Sequence, residues 1–109
     1  MRFRHAAVIA LFVPTWAWAS FLTGNELKDL CDGGNEYWCM AYIVGVADAS
    51  GSLASWGIST RYVCVPNNAS SKQLKSIVEK YINEHPEKLH QSASSQVLNA
   101  LSEAFPCSQ

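Results

Sequence analysis

Residues 70–107 read SSKQLKSIVEKYINEHPEKLHQSASSQVLNALSEAFPC, and this stretch decides the fold. Leu74, Ile77, Val78, Tyr81 and Ile82 recur at the spacing of one face of an α-helix. Lys72, Lys75, Glu79, Lys80 and Glu84 fall on its wet side. Ser70 with Gln73 is a capping-box pair, which satisfies two backbone N–H groups at a helix start. Pro86 ends the run, because it disfavours helical geometry at His85 and has no N–H to donate. A further amphipathic run begins around residues 92–94, buries Val97, Leu98, Leu101 and Phe105, and is closed by Pro106. The short polar segment 85–91 between the runs makes an antiparallel helical hairpin.

Working outward, the cysteines fix how the ends of the hairpin are tied. The chain has four, Cys31, Cys39, Cys64 and Cys107, an even number that allows three pairings. Cys64 precedes the hairpin and Cys107 follows it, so folding brings those two together. Cys31 and Cys39 flank the turn tract Asp32-Gly33-Gly34-Asn35 and can close it locally. The expected bonds are Cys31–Cys39 and Cys64–Cys107, with crossed pairings still open. None of the cysteines shows C-x-x-C or paired His/Cys spacing, so a metal site is not expected.

Two more helices precede the hairpin. Thr23 or Asn25 can cap the first, Thr23 with Glu26 having capping-box spacing. Phe21 or Leu22, then Leu27 and Leu30, supply its apolar stripe, and it ends near Cys31. The second should span residues 36–55, with Cys39, Tyr42, Ile43, Val46, Ser50 and Leu53 on one face. Gly45, Ala47, Ala49 and Gly51 would let a neighbouring helix approach closely, and Ser55-Trp56-Gly57 is the exit. Residues 58–65 (ISTRYVCV) are rich in β-branched side chains, but no second strand is in sight to pair with them. They read as an extended connector.

The N-terminal nineteen residues read as a secretory signal peptide rather than as part of the fold. Arg2, Arg4 and His5 are followed by the apolar run 6–13 (AAVIALFV), then Pro14, then the small-residue end Ala17-Trp18-Ala19. A membrane span needs about 20 apolar residues, more than this run or the stretch 40–47 supplies. The expected mature chain is residues 20–109, one exported domain off the membrane. Without Arg2 and Arg4, six Lys/Arg face nine Asp/Glu, a net charge of −3. Nucleic-acid binding needs clustered positive charge and is disfavoured.

No catalytic constellation emerges. The cysteines are committed to disulfides, no serine sits in a G-x-S-x-G elbow, and only His85 and His90 remain after cleavage. Asp48, alone on a small and apolar helix, reads as a solvated or hydrogen-bonded position, with Arg61, Tyr62 or a free N–H of a neighbouring helix end as donor were it buried. The loop His85-Pro86-Glu87-Lys88-Leu89-His90 is the densest polar cluster. His85 is placed to cap the end of the preceding helix, where an N–H donor is favourable. The same loop can present its side chains to a partner. Tyr37, Trp38, Trp56 and Tyr62 are many aromatics for so small a body, and each reads more readily as core than as interface. Asn68-Ala69-Ser70 is a formal glycosylation sequon, but Ser70 is already explained as a helix cap.

The order of these segments resembles the Rap-type (resistance-associated protein) immunity proteins linked to bacterial type VI secretion. The resemblance rests on Phe21-Leu22-Thr23-Gly24-Asn25-Glu26-Leu27, Leu30-Cys31 and Cys39 leading into Gly45-Val46-Ala47-Asp48-Ala49. It continues through Cys64-Val65-Pro66, the His85-Pro86-Glu87-Lys88 loop with His90, and Ala104-Phe105-Pro106-Cys107. Gln91-Ser92 departs from it, standing where a Pro-containing link is expected. The resemblance implies a periplasmic, all-α, four-helix bundle similar to the acid-stress chaperone HdeA, stapled by two disulfides. It implies a protein that binds and silences a secreted peptidoglycan amidase, with no cofactor and no catalytic residue. The expected contact surface is His85, Glu87, Lys88 and His90, with Trp56 and Tyr62 as a second patch and a homodimer as a further partner state. The competing expectation is an HdeA-like periplasmic stress chaperone, a holdase without a toxin partner.

Overall fold

In the computed structural model of the protein, residues 21–108 are described; the expected signal peptide, residues 1–19, lies outside them. Four α-helices follow one another: α1 (Gly24–Asp32), α2 (Glu36–Ser55), α3 (Ser71–Glu84) and α4 (Ala93–Ala104). A 3-10 turn, Pro86–Lys88, lies between α3 and α4. No strand occurs among the described residues, only isolated bridges Thr23–Ser92 and Val63–Pro106. The disulfides are Cys31–Cys39 and Cys64–Cys107. The fold is the all-α, doubly stapled bundle expected from the sequence.

Local chemistry sets the helix starts. Thr23 Oγ1 accepts the Glu26 N–H at 3.2 Å, and the Glu26 carboxylate accepts the Thr23 N–H at 2.9 Å. The same reciprocal pair forms between Ser70 and Gln73, at 3.1 and 2.7 Å. At α4 the Ser92 hydroxyl accepts the Ser95 N–H at 3.3 Å. Such caps contribute about 1 kcal/mol each by satisfying orphan donors of the first turn. Between α1 and α2, Gly34 has φ +82°, a left-handed conformation that L side chains rarely adopt. That turn lets Cys39 come back onto Cys31.

Leu27, Ile43, Val78, Ile82, Val97 and Leu101 form the centre of one apolar cluster to which all four helices contribute. Leu74, Tyr81, Ala93 and Ala100 extend it, and the buried Cys31 and Cys39 make the first disulfide part of the core. The second disulfide closes the open end of the α3–α4 hairpin, beside the Cys64 N–H to Phe105 carbonyl bond of 2.9 Å.

Several expectations are corrected on α2. Only Cys39 and Ile43 are fully buried there, and Leu53 is exposed rather than packed. Gly45 faces open space, and Gly51 has only the Arg61 side chain near it, so neither admits a neighbouring helix. Tyr37, Trp38, Trp56 and Tyr62, read as core more readily than interface, are all exposed. The physical reason is that, among the described residues, no other helix covers the outer side of α2, and Tyr62 lies on the exposed connector beyond it. On α3, Lys75 and Glu79 pair at 3.0 Å and are mostly shielded instead of lying on the wet side.

Candidate functional site

The segment joining α3 to α4 is a shaped protrusion rather than a slack loop. His85 terminates α3, its ring Nδ1 2.8 Å from the Tyr81 carbonyl, and so caps the helix end as expected. Its imidazole also stacks on the Tyr81 ring, with centroids 4.0 Å apart. Lys88 reaches back to the same tyrosine: its ammonium donates to Tyr81 Oη at 3.2 Å and lies 5.7 Å from the ring centroid. His85 and Lys88 are therefore gathered on one aromatic platform, the imidazole by stacking and the ammonium by a cation–π approach. The hydrogen bond to Tyr81 holds the Lys88 ammonium above its ordinary pKa, with the field of that oxygen and of Glu87 and Glu103 adding to it.

Glu87 and His90 are exposed, while Leu89 between them is buried. That alternation pins the protrusion by its centre and turns its polar side chains outward. The backbone is held as well. The Gly24 N–H donates to the Gln91 carbonyl at 2.8 Å, and the Asn25 N–H to the Leu89 carbonyl at 2.9 Å. These are first-turn donors of α1, which lack partners within their own helix. Gln96 Nε2 donates to the Lys88 carbonyl at 2.9 Å, and the Ala93 N–H to the Leu22 carbonyl at 2.8 Å.

The second expected patch lies elsewhere. Trp56 and Tyr62 are 71% and 67% exposed, beside the equally open Ile58. Tyr62 also lines a groove of about 640 Å³ walled by Val46, Leu53, Val63 and Leu98, with serine, threonine and asparagine completing the lining. No residue of the 85–91 segment lines it, so the structure does not merge the two candidate surfaces in one cavity. Tyr42, half-buried on α2, is pushed above its ordinary pKa by burial, partly offset by its hydrogen bond with Ser94.

Other sequence candidates take ordinary roles. Asp48 is exposed, and Arg61 donates to the Ser55 hydroxyl at 3.2 Å instead of to Asp48. Among the described residues, no group of three His, Cys, Asp or Glu side chains is placed to hold a metal. No helix among them is long and apolar enough to cross a membrane.

Sequence reasoning missed Gly24, Leu89 and Gln96. The signal for Gln96 was present: positions 93, 96, 97, 100 and 101 share one helical face, and Gln96 is the polar member of that stripe. Leu89 was legible as the single large apolar side chain in a polar loop. For Gly24 no local pattern distinguishes close approach from an unfavourable first helical residue.

Comparison with known proteins gives one family. Residues 23–107 match the Rap1a immunity proteins, a span that runs from the cap of α1 to the final cysteine. No curated protein and no solved structure matches the chain. With that match covering all four helices and both disulfides, the chain belongs to the family of Rap1a immunity proteins.

Proposed function

We propose that this is a periplasmic immunity protein that binds a type VI secreted peptidoglycan amidase and silences it by occluding its cleft. The observation that carries the reading is the pinned protrusion: Glu87 and His90 project from a backbone held by α1 and α4. A rigid protrusion loses little conformational entropy on docking, so its contacts appear as affinity rather than being spent on ordering. Family membership supports a toxin as the partner. Two disulfides suit an oxidising compartment, and the basic, apolar and small-residue order of residues 1–19 suits export through a cleaved signal peptide. The protein acts by binding and performs no reaction of its own. The groove beside Trp56 and Tyr62 supplies a second contact area, for the toxin or for a second copy of the chain.

The test is to incubate the oxidised mature protein with a panel of peptidoglycan amidases, recover complexes and measure cell-wall cleavage. Binding that abolishes cleavage is expected from at least one amidase. Changing His85, Glu87, Lys88 and His90 together to alanine should weaken that complex by at least tenfold, about 1.4 kcal/mol. A folded fourfold variant that still binds at full affinity would remove the protrusion from the contact surface.

A further inference from the structure

We infer that Gln96 is a positioning residue, whose buried amide, together with the bare N-terminus of α1 at Gly24, sets the shape of the protrusion that meets the partner. The inference rests on the contact reading above and deepens it: the backbone of residues 85–91, and not only its side chains, determines recognition.

Gln96 is the one buried polar residue among the described residues, at 0% exposure in an otherwise apolar core. Packing alone would place a leucine there. A buried amide is costly unless its polar atoms are matched, and only half of this one is. Nε2 donates to the Lys88 carbonyl, whereas Oε1 is buried without a hydrogen-bond partner. An amide that leaves one atom unmatched is a poor stabiliser, so its consequence lies in what the matched atom holds. The Lys88 carbonyl also accepts the Gln91 N–H at 3.0 Å, so Gln96 completes a two-donor clasp on the turn.

Gly24 seats the same segment from the other side. A Cβ there would lie 3.0 Å from both the Leu89 Cα and the Leu89 carbonyl, and 3.1 Å from Gln96 Cγ. A Cβ at this position would need Leu89 and the Gln96 side chain to give by a few tenths of an ångström. Absence of a side chain is what lets the Gly24 and Asn25 N–H groups reach the Gln91 and Leu89 carbonyls. Two elements thus converge on one backbone segment, the start of α1 and one side chain of α4, and the segment's own buried Leu89 anchors it between them.

The deciding variant is Gln96→Leu, which keeps the volume, removes the donor to Lys88 and removes the unmatched acceptor. A purely structural glutamine would make stability and recognition fall together. A positioning glutamine separates them. In Gln96→Leu the melting temperature should hold or rise, while amide exchange at Gly24, Asn25 and Gln91 quickens by about two- to tenfold, the span of one net hydrogen bond. Exchange at Val78, Ile82 and Leu101 should hold or slow, following the melting temperature. Binding to the amidase recovered from the panel should weaken by about two- to tenfold, because without the donor to Lys88 the segment relaxes from the shape that meets the partner.

Unchanged exchange at Gly24, Asn25 and Gln91 in the folded variant overturns the inference, as does quickened exchange there with unchanged amidase affinity. If Gln96→Leu does not fold, Gly24→Ala strains the same seam and is read at Asn25 and Gln91. Full binding by the fourfold alanine variant would strike the contact reading instead. Exchange in Gln96→Leu would then still decide whether Gln96 shapes the segment.

Discussion

Replacing Cys64 and Cys107 by alanine tests how much of the stability of the bundle is held in a covalent tie. The bond spans 43 residues of sequence, and loop-closure entropy for such a span gives about 4 kcal/mol. Cys64 is exposed and Cys107 only half-buried, so little packing is lost with the sulfurs and the entropic contribution should stand nearly alone. The Cys64 N–H to Phe105 carbonyl bond stays available to the variant. Domains are stable by about 5–15 kcal/mol, so this one change removes a large fraction of the total. With a urea slope of about 1–1.5 kcal/mol per molar, the unfolding midpoint should fall by about 3 M. Equilibrium urea unfolding, followed by far-UV circular dichroism and by tryptophan fluorescence, measures it. A loss below about 1 kcal/mol, with coincident transitions, would refute the argument. It would mean that the unfolded chain is already held compact, or that the seam is closed by contacts other than the bond.

Other outcomes follow from the same geometry. The Cys31–Cys39 pair closes only 8 residues, worth about 2.5 kcal/mol in loop entropy, but both cysteines are buried. Its double alanine variant should therefore lose more than loop closure alone predicts, and calorimetry on the two double variants compares them directly. Leu101 is fully buried at the centre of the cluster, so Leu101→Ala should cost about 2–5 kcal/mol in urea unfolding. Tyr42 and Lys88 both hold their protons more tightly when folded. Their contribution is complete below the unfolded values, near 10, and is lost as pH rises beyond them. Stability measured from pH 8 to 11 should decline at the alkaline end, less steeply in Tyr42→Phe. An acid-opened holdase would bind an apolar-sensitive dye increasingly at low pH. The oxidised immunity protein should not.

The hairpin was legible because independent local signals agree on it. Ser70 and Gln73 mark its start, Pro86 its bend, Pro106 its end, and the stripes between them have a single period. The pairing of Cys64 with Cys107 followed from that geometry. On α2 the reading gave the right limits but the wrong coverage. Its sequence, EYWCMAYIVGVADASGSLAS, is apolar or small on nearly every side, so periodicity cannot name the covered face. Which side is covered depends on where α1, α3 and α4 lie, and that is non-local. The candidate contact residues were visible as a polar cluster. Their support was not, since Gly24 is distant from the loop in sequence, Gln96 sits on the helix that follows it, and the start of α1 and Gln96 act through the carbonyls of Lys88, Leu89 and Gln91.

The order of the two disulfides along the chain bears on how the molecule is made. The first cysteine pairs with the second and the third with the fourth, without interleaving. A polypeptide oxidised as it emerges N-terminus first would find Cys31 and Cys39 together before Cys64 is exposed, so the first thiols to meet are native partners. Cys64 would then wait as a lone thiol until α3 and α4 have both emerged and their hairpin delivers Cys107. The consecutive, non-crossing pattern lets a simple thiol oxidant complete the protein, with no obligatory step of disulfide reshuffling.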